Sequence, residues 1–183
     1  MRKIINSTYV SLDGDIEKLD QWSFDYWSDE MDRYATKLLG DADALLMGRD
    51  TYVNFAAAWS GRAGAFADRM NAIDKYVVSS TLNGGDWGAT TVFHQDKAVE
   101  ELAALKERAG GDILMYGFGP VAKTMLDHDL LDEIHFWVHP VIAGGGSLAA
   151  DGFRHRLRHT GTKALDTGVV VLSYERSNAA AAQ

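Results

Sequence analysis

Branched and aromatic residues gather in seven short runs set apart by polar or glycine-bearing stretches: residues 3–12, 44–47, 75–80, 90–93, 112–116, 133–142 and 168–175. Runs of this length and composition predict strands. Between several of them a three- and four-residue spacing takes over. Phe24, Trp27, Met31, Tyr34, Ala35 and Leu38 form one such stripe in a helix predicted from Phe24 to Leu39, with Gly40 as its stop. Residues 65–73 give a shorter second helix, and Lys97 to Ala109 a third, with Ala98, Leu102 and Leu105 on one side. A fourth runs from Pro120 to His128, opened by a proline whose missing N–H costs little in a first turn. Alternating β and α predicts an α/β fold with a central, mostly parallel sheet covered by helices on both faces. The late strands follow each other too closely for a helix, which predicts an antiparallel C-terminal edge. One domain is expected over residues 1–176, with a frayed tail over 177–183.

Composition narrows the partners. The 183 residues are 46% hydrophobic, enough for one core, and carry a formal charge of −8. That sign disfavours nucleic acid, because only the short basic run 154–159 would meet a phosphate backbone. An exposed strand or turn is the better reading of that run. With no cysteine there are neither disulfides nor thiolate metal sites, and a reducing cytoplasm is the simplest location. The first fourteen residues have only a broken apolar run, so neither a signal peptide nor a membrane span is expected.

Two glycine-bearing corners carry the candidate chemistry. In "LLMGRDTY", Gly48 lets the chain turn after a strand, Arg49 offers a planar fork to a phosphate, and Thr51 offers a hydroxyl or a helix cap. In "ILMYGFGPVAKTML", Gly117 and Gly119 stand between a strand and a helix whose first-turn N–H groups can meet an anion. The strand 75–80 ends in Ser79 and Ser80, again small donors. Ligands of open α/β sheets bind outside the carboxyl ends of strands, so the three stretches can converge on one nucleotide. A Rossmann domain is the first owner to test for such a glycine loop. Its ribose-binding acid belongs about 20 residues on. Here that region reads Trp137, Val138, His139 and Pro140, and the loop comes late in the chain, so this reading ranks second. Tight turns without a ligand remain the plain alternative.

Taken in order, "SLDG" (11–14), "LLMGRDTY" (45–52), "YVVSSTL" (76–82) and "ILMYGFGPVAKTML" (113–126) resemble the dihydrofolate reductase superfamily. With "EIHFWVHPVIAGGG" (133–146) they resemble more closely the bacterial proteins grouped with the riboflavin-biosynthesis reductase domain. The resemblance covers nearly the whole chain. It implies a dihydrofolate-reductase-like three-layer sandwich, NADPH as cofactor, and frequent pairing as homodimers. It places Gly48, Arg49 and Thr51 at the phosphates, with Arg49 also near the adenosine 2′-phosphate. Ser79 and Ser80 fall on the 2′-phosphate side, and Gly117, Gly119, Pro120 and Val121 form the loop under the pyrophosphate and nicotinamide. The implied activity is hydride transfer to a small heterocycle, of pterin or ribosylaminopyrimidine type.

Catalytic candidates follow from what hydride transfer asks of a protein, namely placement, exclusion of water and a proton for the receiving atom. Asp32 is the positional match to the superfamily's acid on the first helix, where it shares a row with Ser28, Ala35 and Leu39. Acids early in a helix also simply suit its dipole, and Asp25, Asp29 and Glu30 crowd the same segment. Trp22 stands ten residues before Asp32, farther than the dihydrofolate reductase pattern sets its tryptophan. Asp13 in "SLDG" is the second polar candidate, with an aspartate–glycine turn as its alternative. His135 and His139 share a strand face with Trp137 but have no third ligand at metal spacing, so no metal is expected. Residues 143–147 offer an anion nest but read better as a flexible crossover, and Trp59 reads as a pocket cap or core filler. Outside the reductase class, a nucleotide sensor without turnover and a ligand-free scaffold remain open.

Overall fold

A computed structural model of the chain describes residues 1–149 and 153–177. The strands are β1 (Ile4–Ser11), β2 (Ala42–Gly48), β3 (Asp74–Val78), β4 (Thr90–Phe93), β5 (Asp112–Tyr116), β6 (Glu133–His139), β7 (Leu157–Ala164) and β8 (Val170–Arg176). The helices are α1 (Asp29–Asp41), α2 (Arg49–Trp59), α3 (Ala65–Ala72), α4 (Ala98–Glu107) and α5 (Pro120–Asp127). All eight strands join one sheet in the order β4-β3-β2-β5-β1-β6-β8-β7. The six from β4 to β6 run parallel, and β8 and β7 add the expected antiparallel edge. Beyond Ser177, the expected tail lies outside the described residues.

The parallel strands read as continuous apolar runs because both their faces are buried. On one face, Ile4, Leu46, Ile113 and Ile134 pack against Leu102 and Leu105 of α4 and Ala122 and Met125 of α5. On the other, Leu45, Met47, Val77 and Leu114 meet Leu39 of α1, Tyr52 of α2 and Met70 of α3. Met31 and Ala35 extend that layer over Trp137 and Val171. The result is the expected three-layer α/β sandwich.

The predicted elements differ from the observed ones in four places. The first helix begins at Asp29, because Ser28 caps it, its Oγ accepting from the Met31 N–H at 3.2 Å; Phe24–Tyr26 is a separate 3-10 turn. Helix α2 is missing from the predicted elements although Tyr52, Phe55, Ala56 and Trp59 stand at helical spacing and pack on the core; Tyr52 is its one fully buried residue. Strand β3 stops at Val78, where the Ser79 hydroxyl accepts the Thr81 and Leu82 amides and turns the chain. Strand β7 is the sheet's polar outer strand and takes in part of the basic run, with Arg158 paired to Glu175; His155, just before it, pairs with Asp127.

Lys75 is 1% exposed and has no carboxylate partner in contact among the described residues. Its ammonium donates to the carbonyls of Ile73 (2.7 Å) and Asn71 (3.0 Å) and lies 4.5 Å from the Trp87 ring centre. Burial pulls its pKa down to about 8 from the ordinary 10.5. The unfolded chain therefore binds more protons than the folded one between those values, so this group makes stability rise with pH. Urea midpoints should climb from pH 8 to about 9.5, below the range where phenols ionise, and Lys75→Met should flatten that slope. An unchanged slope in the variant would assign the rise to another group.

Candidate functional site

The carboxyl ends of five adjacent parallel strands form one rim. Gly48 of β2 is level with Val78 of β3, Met47 with Tyr116 of β5, and Ser11 of β1 with His139 of β6. At ~4.8 Å per strand the rim spans roughly 19 Å. Strands β2 and β5 are neighbours, yet the helices that follow them, α2 and α5, lie on opposite faces of the sheet. Where neighbouring strands send their chains to opposite faces, a crevice opens outside their carboxyl ends.

Both glycine corners stand at that crevice and interlock. A Cβ on Gly48 would lie 3.3 Å from Val121 Cγ2 of α5. Gly117 has φ +81°, and a Cβ there would lie 2.6 Å from Thr51 Oγ1 of α2, closer than real Cβ contacts come. A Cβ on Gly119 would meet nothing within 4 Å, so this part of the loop faces open space. Gly48 and Gly119 are the N-cap residues of α2 and α5, and neither helix start receives a capping side chain. Two sets of first-turn N–H groups are thus left for a ligand or water. Gly48, Thr51, Gly117 and Val121 come together directly, with Pro120 at the first position of α5.

Arg49 is half-exposed and pairs with its exposed neighbour Asp50 at 2.8 Å. A solvated pair of this kind is worth at most ~1 kcal/mol, so the guanidinium can exchange it for a phosphate. Ser79 and Ser80 follow the β3 end one strand farther out; Ser79 is buried in its turn and Ser80 is exposed. A shallow cleft of about 440 Å³ lies beside this end, lined by Tyr52, Leu82, Gly85 and Asp86 among others.

The two candidate acids have different surroundings. Asp13 is fully engaged: its carboxylate accepts from Ser11 Oγ (2.5 Å), Ala143 N (2.9 Å) and Gly144 N (2.6 Å). The Ser11 hydroxyl, then these amides, hold its pKa at about 2. It is an anion that ties the end of β1 to the loop after β6, and Asp15 adds a bond from the Ser147 hydroxyl at 2.8 Å. Residues 143–147 are therefore fastened at both ends, unlike the slack crossover that three glycines suggest. The folded pKa lies below the unfolded one, so this contribution is present above about pH 4 and is lost as pH falls through 2. Asp13→Ala should speed amide hydrogen exchange at Ala143 and Gly144 several-fold at neutral pH while strands β1 and β6 keep their protection.

Asp32 is half-buried, and its carboxylate makes no hydrogen bond or ion pair among the described residues. Its neighbour Glu30, by contrast, is held by Lys163 and the Asp166 amide. Asp32 stands near enough to Tyr9 of β1 for its charge to act on the phenol. Burial first, and then the Asp32 charge, raise the Tyr9 phenol well above its ordinary pKa. Burial and Tyr9 do the same to Tyr116, the last residue before the glycine loop. Both phenols thus stay protonated as neutral donors.

Behind them lies His139, wholly buried and ringed by Tyr9 (4.9 Å), Trp22 (5.3 Å) and Tyr26 (5.8 Å between ring centres). Its Nδ1 lies 2.9 Å from the Trp137 carbonyl, which can only accept, so Nδ1 carries the proton and Nε2 holds a lone pair with no partner among the described residues. Burial lowers its pKa. Sequence reading left Tyr9, Tyr116 and this role for His139 unassigned; the signal available was polar-tipped aromatics at the ends of otherwise apolar strands. Trp59, packed 5.1 Å from Phe66 on the far end of α2, is core filler.

Comparison with known proteins agrees with this architecture. The family model described as the RibD C-terminal domain matches residues 2–171. The Bacillus subtilis (strain 168) protein YyaP is 29% identical over 180 residues, 94% of each chain. A diaminohydroxyphosphoribosylaminopyrimidine deaminase/5-amino-6-(5-phosphoribosylamino)uracil reductase from Thermotoga maritima superposes with a TM-score of 0.69 at 15% identity, covering 96% of this chain and 57% of that one. A dihydrofolate reductase from Enterococcus faecalis, complexed with NADP(H) and RAB-propyl, superposes with a TM-score of 0.63 at 17% identity over 96% and 97% of the two chains.

Proposed function

Because the chain belongs to the RibD C-terminal domain family, on the dihydrofolate-reductase-like fold, we propose that it is an NADPH-dependent reductase of a small heterocyclic substrate, of pterin or ribosylaminopyrimidine type. The observation that carries this reading is the interlocking of two uncapped glycine corners at the crevice between β2 and β5. The Thermotoga relative's name points to the aminopyrimidine branch, and the complex of the Enterococcus relative points to the coenzyme.

The residues present fit that coenzyme. Gly119 leaves space for a phosphate beside two sets of free amides, Arg49 supplies the cation for a 2′-phosphate, and Ser80 stands exposed beyond the neighbouring strand end. NADPH, when bound, supplies the hydride. The chain's own part is placement and proton control. Asp32 offers an unclaimed carboxylate to an N–H edge of the substrate; Tyr9 and Tyr116 offer neutral hydroxyls; Trp137 and His139 close the floor against water.

The test is a thermal-shift comparison of NADPH with NADH. A ligand at 100 times its Kd stabilises by about 2.7 kcal/mol, which for a chain this size is roughly 5–10 °C. NADPH should give such a shift, NADH much less, and Arg49→Ala should erase the difference. No shift with either coenzyme would sink the proposal.

A further inference from the structure

Strand β1 runs through the middle of the sheet, between β5 and β6, and its face toward α5 is otherwise apolar; yet Asn6 and Thr8 stand on that face, both buried. Asn6 is 0% exposed and lies among Ile4, Ile113, Met115 and Ile134. Its Nδ2 donates to the carbonyl of Gly117 at 2.8 Å, with Met115 O at 3.4 Å, and its Oδ1 accepts from Thr8 Oγ1 at 2.9 Å. Both carbonyls can only accept, so the amide's orientation follows from chemistry: the NH2 end faces β5 and the oxygen faces Thr8. A polar pair has been placed in the core to hold one carbonyl just past the end of a strand.

We infer that Asn6 is a positioning residue for the pyrophosphate-binding loop: by anchoring Gly117 O toward β1, it turns the Phe118 N–H toward the β2 corner, where Gly48 and Thr51 stand. In a trans peptide the C=O and N–H of one plane point in opposite directions, and no peptide bond among the described residues is cis. Strand β5 lies between β1 and β2, so a carbonyl drawn to one side directs the amide to the other. Gly117, at φ +81°, is a swivel that the backbone alone does not lock. Asn6 supplies the lock and Thr8 keeps Asn6 from flipping. The inference rests on the NADPH reading above and assigns this chain's own residues within it.

The experiment titrates wild type, Asn6→Leu and Thr8→Val with two probes, NADPH and adenosine 2′-monophosphate, by calorimetry. The second probe carries the 2′-phosphate assigned to Arg49 and Ser80 but has no pyrophosphate. Asn6→Leu should weaken NADPH roughly tenfold or more and leave the monophosphate within about twofold, because only one donor in the phosphate loop has been misdirected. Retained monophosphate binding also shows that the variant folds. Thr8→Val, which keeps the amide but frees it to turn, should weaken NADPH by about threefold and carries the test if Asn6→Leu does not fold. Equal NADPH affinity in wild type and both variants would overturn the inference, leaving Asn6 as a plug at the strand end; so would a matched loss of both probes. Wild type that binds neither probe would instead refute the coenzyme reading itself.

Discussion

Gly117→Ala is expected to abolish measurable NADPH binding and to lower stability by roughly 2–5 kcal/mol, whereas Gly119→Ala should weaken binding at least tenfold with almost no change in stability. Two costs add at Gly117. A left-handed φ of +81° disfavours any side chain by roughly 1–2 kcal/mol. The new methyl would also sit 2.6 Å from Thr51 Oγ1, and relieving such overpacking typically costs about 1–3 kcal/mol. Relief comes by separating α2 from the loop, which parts the two corners that must meet one molecule. Gly119 is the control. Its φ of −97° suits alanine and its Cβ would meet nothing within 4 Å, so only a ligand would notice the methyl. Urea denaturation and calorimetric titration on the two variants separate packing from recognition. If Gly119→Ala binds NADPH like wild type, the loop is an ordinary turn.

Asp32→Asn should cost about 10²–10⁴ in reductase turnover, the range for loss of a positioned acid–base group, with stability changed by less than about 1 kcal/mol. The small stability effect follows from the absence of any partner; what is lost is mainly a negative charge in the first turn of α1, where the dipole favours it. A spectroscopic signature accompanies the change. The Asp32 charge helps hold the Tyr9 phenol above its ordinary range, so the variant's Tyr9 should ionise at lower pH in an ultraviolet titration. Assays with 5-amino-6-(5-phosphoribosylamino)uracil and with dihydrofolate would read the turnover. Undiminished turnover in Asp32→Asn would remove the acid from the chemistry and leave it a helix-dipole residue. Asp13 offers the comparison: its carboxylate, held at a pKa of about 2, is already engaged by the Ser11 hydroxyl and two amides, whereas that of Asp32 is unclaimed.

Legibility in the sequence followed burial. Strands buried on both faces, such as β2 and β5, carry apolar runs that no neighbouring loop imitates. Strand β7 has one partner and a mostly exposed surface, so Arg158, Thr160, Thr162 and Lys163 satisfy it as well as valines would. Helix α2 escaped notice although Tyr52, Phe55, Ala56 and Trp59 form its core-facing stripe: only Tyr52 is fully buried, and the stripe follows directly on the glycine corner. The glycine corners stood out as glycines between a strand and a helix, although only Gly117 has a backbone that demands one; their convergence did not. Sequence order places β2 and β5 more than sixty residues apart, and only the sheet order brings them side by side. The aromatic cluster at these strand ends was hidden likewise, since Tyr9, Tyr116 and His139 each look like ordinary strand residues until three strands are aligned.

That sheet order also bears on how the protein is born on the ribosome. Strands β1 and β2 never touch; β5 fills the slot between them, registering Ile4 against Ile113 and Leu45 against Leu114. A nascent chain that has emerged through β4 therefore carries two apolar strands with open flanks, and neither can zip to the other. Such long-range pairing makes folding slow and leaves sticky edges waiting, which is the situation in which chaperones matter most. Translation pauses or truncations upstream of residue 112 should accordingly yield aggregates, and not smaller folded fragments.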